Sequence, residues 1–464
     1  SDVYNEFEEE LYRVRMSTIV KQRLFDRPIK LGDKLVFFTI FAYIVFGNAL
    51  TFNLGDRFPV KFAELLSIPT IIYLLFVTKP LFHKKSIFVG ILGWVIFGWL
   101  CAILGTIRFS YTFSELLYGC LYGGRIVHLL CLTYLISRYL TKIRHYSSKR
   151  LSKFIVNCYV LVGIIGIFQL LFFPIAYDWY NVFYNIGVYF ANPDPHINRL
   201  VSTYFDPNFL ASIFVIPITI QLYLIMFHRD KSIWALGKLI LLIVAVLLTS
   251  SRSGFVGMLL AVFILFLCYI KKFKFERWLF VFLAIAIMCV PILLLSDIRV
   301  INRIINFASD PSALARFSNW DYSWKIFTEN FFVGIGYNML GAYRGLDGMN
   351  VVDSAGYGVD ASIFQILITT GIVGGILFCI FIIKILKIKS KACFKLATIN
   401  KVVLIASCAV SFFNNLLFYV LWLFPFLLLL KTREDEEAVI KQQIFQTRVV
   451  KSQEIYLKRS GYIL

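Results

Sequence analysis

Residues 235–270 read ALGKLILLIVAVLLTSSRSGFVGMLLAVFILFLCYI, and their reading decides the fold class. Two apolar runs, 235–250 and 254–270, each approach the length of a bilayer crossing and are parted only by the polar turn TSSRSG (249–254). The runs are continuous rather than alternating, which excludes a transmembrane β-barrel. Similar runs recur from residue 35 to residue 430. The whole chain of 464 residues is 59% hydrophobic and 16% charged, too apolar for a soluble globular protein of this size. The fold class is therefore all-α, a polytopic integral membrane protein with twelve expected spans: 35–53, 60–78, 86–105, 116–137, 152–175, 208–227, 235–250, 254–270, 278–296, 361–383, 402–414 and 416–430. The last two, with Asn414 and Asn415 between them, read either as one long tilted helix or as a tight hairpin.

The net charge of +20 suggests nucleic acid until the charges are placed. Lys and Arg concentrate in TKPLFHKK (78–85), RYLTKIRHYSSKRLSK (138–153), HRDKS (228–232), KKFKFER (271–277) and KILKIKSKACFK (384–395). These alternate with loops poorer in positive charge, the pattern of cytoplasmic retention. The charge is thus a topology signal, and no nucleic-acid partner is expected. Twelve spans put both termini in the cytoplasm: an N-terminal segment 1–34, a single transmembrane domain 35–430 and a C-terminal tail 431–464. Residues 1–15 are acidic and precede Met16, the expected natural start, so they read as an added segment. No cleavable signal peptide is visible.

Eight of the nine cysteines lie in apolar runs and Cys393 lies in a basic loop, which argues against a disulfide framework. Neither CxxC nor HExxH occurs, so no metal is expected. The outer side holds two long loops, 176–207 and 297–360. Loops of that length are usually functional. The second contains an amphipathic stretch, ALARFSNWDYSWKIFTEN (313–330), and then the glycine-rich GIGYNMLGAYRGLDG (334–348). Its GxG follows no strand and is weak evidence for a nucleotide site.

Arginine on the outer side has no topological reason to be there. Arg199, Arg252, Arg299, Arg303, Arg316 and Arg344 all map to it. Arg252 occupies a turn with almost no loop, where a charge must snorkel, find a partner or bind a ligand. Guanidinium suits bidentate contact with phosphate, so the set points to an anionic headgroup such as a diphosphate. Arg125 and His128 lie within the fourth span, about one turn apart, with Glu64 or Glu115 as partners for Arg125. They read either as a structural pair or as substrate contacts. Asp360 closes the large loop at the start of the tenth span, either as a helix cap or as a general base. Tyrosines and tryptophans crowd both loops; Tyr337 and Tyr357 are candidates for stacking on sugar. In RLVSTYFDPN (199–208), Asp206 and Pro207 read as a helix start. Arg199, nine residues ahead of Asn208, has no such local duty.

Four elements in order carry a resemblance: NRLVSTYFDPNFLASIF (198–214), LLTSSRSGFVGMLLA (247–261), FVGIGYN (332–338) and DASIFQILITTGIVGGILF (360–378). Together they resemble the Wzy-type O-antigen polymerases and the related O-antigen ligases of Gram-negative bacteria, over about residues 195–380. The resemblance implies a membrane-embedded glycosyltransferase of the C type in the bacterial inner membrane, with its site facing the periplasm. It implies undecaprenyl-diphosphate-linked oligosaccharide as donor and acceptor, membrane lipid, a chain-length regulator protein as partner, and no cofactor or metal. Arg199, Arg252 and Arg316 carry over as diphosphate-binding or catalytic arginines. Family ligases carry a histidine near the position of Asp360, and this departure favours polymerase over ligase. A transporter or flippase for lipid-linked sugar is the rival from another class, but it should show inverted repeats, and none is visible.

Overall fold

The computed structural model describes residues 31–54, 58–78, 86–185, 196–228, 232–269, 311–346, 359–388 and 395–459. Helix α1 (Leu31–Phe41) continues as a π-turn, Ala42–Phe46, and leads into a hairpin of β1 (Thr51–Leu54) and β2 (Phe58–Lys61). There follow α2 (Phe62–Thr78), α3 (Ile87–Phe109), α4 (Phe113–Arg138) with a π-turn at Tyr139–Ile143, and α5 (Ser148–Phe172). The first long connection holds α6 (Ala176–Tyr184). The chain then forms α7 (Pro207–Ile213), α8 (Val215–Phe227), α9 (Ile233–Leu248) and α10 (Arg252–Tyr269). The second long connection holds α11 (Pro311–Glu329) and α12 (Leu340–Leu346), ahead of α13 (Ser362–Leu386), α14 (Leu396–Val410) and α15 (Val420–Arg459).

The helices start where a small polar residue meets an apolar run. Thr112 and Glu115 close a full capping box on α4, and Ser86, Ser147 and Ser232 cap α3, α5 and α9. Among the described residues, five stretches are long and apolar enough to cross a membrane: α3, α4 with its π-turn, α5, α7 with α8, and α13. The apolar helices α2, α9, α10 and α14 are shorter. The structure is that of a helical membrane protein. The expected span 278–296 lies outside the described residues.

Three boundaries differ from the sequence reading. The first span ends at Phe46, not at 53, because the chain turns into the hairpin, where Thr51 pairs with Lys61. Residues 402–430 form two helices, since 411–419 leave helical geometry to bond neighbouring helix starts. The expected tail is not separate either: α15 runs unbroken from Val420 to Arg459, with Lys431, Arg433, Asp435 and Glu437 buried.

These buried charges explain how one end of the bundle is tied. Glu434 accepts hydrogen bonds from Ser86 Oγ (2.7 Å) and the Ile87 amide (3.1 Å) at the start of α3. Asp435 accepts from Ser137 Oγ at 2.8 Å, and Glu436 accepts from Ser148 Oγ at 2.9 Å. Lys431 pairs with Glu434 and Asp435 and lies over the Tyr134 ring. Arg144 pairs with Asp33 at 2.6 Å. The helix ends that flank the basic loops therefore gather at one end of the bundle, and the long connections leave from the other, the loop end.

Helix α13 is broken. Gly371, in the middle, has φ +62°, and the carbonyls of the preceding turn are freed from the helix. The FVGIGYN stretch takes up two of them: the Ile335 amide donates to Ile368 O (2.8 Å) and Gly336 N to Thr369 O (3.0 Å); beyond the break the Ile372 amide donates to Phe331 O (2.8 Å), just ahead of that stretch. Inside a bilayer a broken helix is tolerated only where such partners satisfy the backbone. The GxG thus serves close backbone packing against α13 and α3. Tyr337 lies on Gly98 of α3 and is buried edge-on to Trp94, with ring centroids 5.7 Å apart.

Candidate functional site

Three helix starts converge at the loop end. Asp206 caps α7: its Oδ1 accepts from the amides of Asn208 (2.7 Å) and Phe209 (3.0 Å), with Pro207 as the first helical residue. That matches the sequence reading. Arg199 differs from it, because the residue does have a local duty. Its Nε donates to Thr249 O at 2.8 Å, its guanidinium reaches Asn208 Oδ1 at 3.1 Å, and it lies 3.3 Å from His196 Nδ1. Arg199 therefore fastens the start of α7 to the turn that precedes α10.

The TSSRSG turn resolves residue by residue. Ser251 Oγ accepts from the Gly254 amide at 3.3 Å and opens α10. Ser253 Oγ accepts from Asn414 Nδ2 at 2.9 Å. Gly254 lies against α7, where a Cβ would stand 2.2 Å from that of Ala211. Arg252 is half-buried, at the first position of α10, three residues beyond the carbonyl that Arg199 holds. Asn414 also reaches Ser212 at 3.3 Å, and the neighbouring Ser362 Oγ donates to Asn415 Oδ1 at 3.1 Å. The 411–419 link thereby joins α7 to the starts of α10 and α13. Helix N-termini gathered in this way create positive potential, the setting for an anion.

Asp360 is exposed beside this junction. The N-cap of α13 is Ala361, with no side-chain cap, and the Ser362 amide donates to Ser411 O at 2.9 Å. The N-cap position thus falls one residue after Asp360, and the link between α14 and α15 supplies the acceptor for the Ser362 amide. Arg316 is half-buried on α11, one turn before Trp320 and on the same face. Trp320 packs near Phe364 and Phe413, each with ring centroids at 5.9 Å, so α11 lies over the junction. Arg344 lies over the Tyr322 ring at 5.1 Å. Arg303 and Tyr357 fall outside the described residues. Tyr337 occupies a packing position, and burial pushes its phenol above the ordinary range.

Arg125 and His128 belong to a neighbouring polar cluster. Of the two partners expected for Arg125, the structure brings Glu64: Nε to Oε1 is 2.6 Å, and a second nitrogen lies 3.2 Å from Oε2. Arg125 also donates to Pro59 O. His128 Nε2 lies 2.6 Å from Ser67 Oγ. Removing one partner of a buried ion pair costs about 3–5 kcal/mol, whereas replacing both by apolar groups is close to neutral. Glu64→Leu should therefore lower thermal stability in detergent strongly, and Glu64→Leu with Arg125→Met should recover most of the loss. Equal losses in the single and double variants would refute a mainly structural pair.

Sequence reasoning missed Lys61, Asn48 and Ser362. Lys61 is 5% exposed and is the residue before α2. Its amide donates to Glu64 Oε2 at 2.9 Å, half of a capping box, while its Nζ donates to Asn48 Oδ1. Asn48 Nδ2 donates in turn to Tyr204 O (2.8 Å) and to Tyr419 Oη (2.9 Å). The available signal was a lysine inside the expected span 60–78, beside its start. Among the described residues, no group of His, Cys, Asp and Glu is arranged to hold a metal ion.

Residues 237–379 match the family model described as O-antigen ligase, Wzy_C. This is the O-antigen polymerase/ligase group that the four motifs resemble. The matched part contains Arg252, Arg316, Asp360 and the broken α13, but neither Arg199 nor Lys61. The family's members are glycosyltransferase-like enzymes that act on lipid-linked polysaccharide. Among curated proteins no match is found.

Proposed function

We propose that this chain is a polysaccharide polymerase that moves a growing glycan from undecaprenyl diphosphate to the terminal sugar of a lipid-linked repeat unit. The observation that carries the reading is the convergence of the α7, α10 and α13 starts, with Arg199 bonded into the turn that presents Arg252. In the reaction an acceptor hydroxyl oxygen bonds to the anomeric carbon and the bond from that carbon to the diphosphate oxygen breaks. The leaving diphosphate takes up negative charge, which Arg199, Arg252 and Arg316 stabilise from fixed positions. Asp360, exposed at the rim, takes the hydroxyl proton.

In this reading the loop end faces the periplasm of a bacterial inner membrane, and the basic end, with both termini, faces the cytoplasm. Donor, acceptor and membrane lipid are the substrates and surroundings, and a chain-length regulator is a further protein partner. The runner-up is a ligase that transfers glycan to lipid A–core, favoured by the printed description of the matched family. Incubation of purified protein with a defined lipid-linked repeat decides between them. A ladder of products is expected from the chain alone. A single transfer seen only when lipid A–core is supplied, with no ladder, would replace the polymerase reading by the ligase.

A further inference from the structure

Lys61 stands in an unusual position for a buried cation. An ammonium group carries three donors and no acceptor. Among the described residues, the one acceptor for Lys61 Nζ is the neutral amide oxygen of Asn48. The nearest carboxylate, Glu64, is already committed to Arg125 and to the Lys61 backbone amide. Burying a charge against a neutral partner is costly, and the cost is recovered when an anion completes the site. Asn48 therefore orients the ammonium without neutralising it.

Asn48 also fixes where that ammonium is presented. Its side chain bonds to Tyr204 O and Tyr419 Oη, and its amide donates to Thr203 O at 2.9 Å. These partners lie on the segment that leads from Arg199 to Asp206 and on the link that joins the helix starts. The Tyr419 ring packs tilted against Phe209 with ring centroids 4.4 Å apart, next to Asn208, which Arg199 holds. The Lys61 ammonium thus belongs to the same polar junction as Arg199, approached from the α2 side.

We propose that Lys61 is an anion-binding residue of the loop-end site, positioned by Asn48, and that its remaining donors take a phosphate group. This rests on the proposed reading for the identity of the anion, a lipid diphosphate, but the site chemistry also fits a free phosphate.

The test uses the full chain purified in detergent, with inorganic pyrophosphate as probe in calorimetric titration. Lys61→Gln keeps a donor for Asn48 and removes the charge. It should weaken pyrophosphate binding at least tenfold, with unliganded thermal stability equal to or above wild type; Lys61→Arg should stay within about threefold. Lys61→Met serves if Lys61→Gln does not give monodisperse protein. Wild-type affinity in both neutral variants, or no pyrophosphate binding by wild type, overturns the proposal. Ladder synthesis in the same preparations separates the two readings. If wild type makes no ladder yet loses pyrophosphate binding in Lys61→Gln, the polymerase falls and the anion site stands. If both neutral variants bind pyrophosphate normally while wild type makes a ladder, the anion site falls and the polymerase stands. A raised KM for the lipid-linked donor in Lys61→Gln assigns the phosphate to the lipid, whereas an unchanged KM with lost pyrophosphate binding assigns it to a free anion.

Discussion

Arg252→Ala is expected to slow glycan polymerisation by about 10²–10³-fold, the usual loss when a fixed group that meets developing negative charge is removed. The substitution should leave the fold in place. Ser251 supplies the cap of α10, Ser253 bonds to Asn414, and Gly254 provides the close contact with α7. Stability in detergent should therefore stay within a few degrees of wild type while turnover falls. Arg199→Ala is expected to lose comparable activity and also stability, because Arg199 bonds to Thr249 O and Asn208 and so ties two helix starts together. Arg199→Lys restores the charge but not the forked geometry, and should recover little of either. The measurement is ladder synthesis from a defined lipid-linked repeat beside a melting curve for each variant. Retention of more than about a third of wild-type activity in Arg252→Ala would remove that residue from the reacting centre.

Gly371→Val should have the largest structural effect. Gly371 holds φ +62° and ψ −168°, a region essentially confined to glycine, which costs an L-residue about 1–3 kcal/mol before any contact is counted. A Cβ there would stand 2.3 Å from Phe332 O and 2.6 Å from Val333 N, both backbone atoms that cannot swing away. Overpacking adds about 1–3 kcal/mol. The hydrogen bonds that the FVGIGYN stretch lends to the broken helix would be strained at the same time. Most of the protein is expected to be lost from the monodisperse peak in fluorescence-detected size exclusion, and Gly371→Ala should be intermediate. Gly93→Ala, where nothing lies within 4 Å, provides the control and should be neutral or slightly stabilising. A folded, wild-type-like Gly371→Val would mean that the break in α13 does not depend on glycine.

Much of this was legible along the chain. Continuous apolar runs specify membrane helices because lipid leaves no other partner for backbone amides. The start of α7 was legible because Asp206 accepts from amides two and three residues away and Pro207 is the first helical residue. The motif set pointed to the O-antigen polymerase/ligase group because its four elements occur in the family's order. What failed were inferences about partners distant in sequence. Arg199 seemed without local duty because its acceptor, Thr249 O, lies 50 residues on. At the start of α13, nothing near in sequence shows that Ser411 O takes the Ser362 amide.

Composition, periodicity and short-range capping were decided by the sequence alone, because each acts within a helical turn or over the thickness of a bilayer. The tertiary structure decided the rest. It set FVGIGYN against the break in α13, gave Arg125 to Glu64 rather than Glu115, and drew 431–437 into the basic end. It also left a buried ammonium at Lys61 facing a neutral amide. Each of these is a matter of which polar group meets which across the bundle, and buried polar groups settle their partners only when the helices pack.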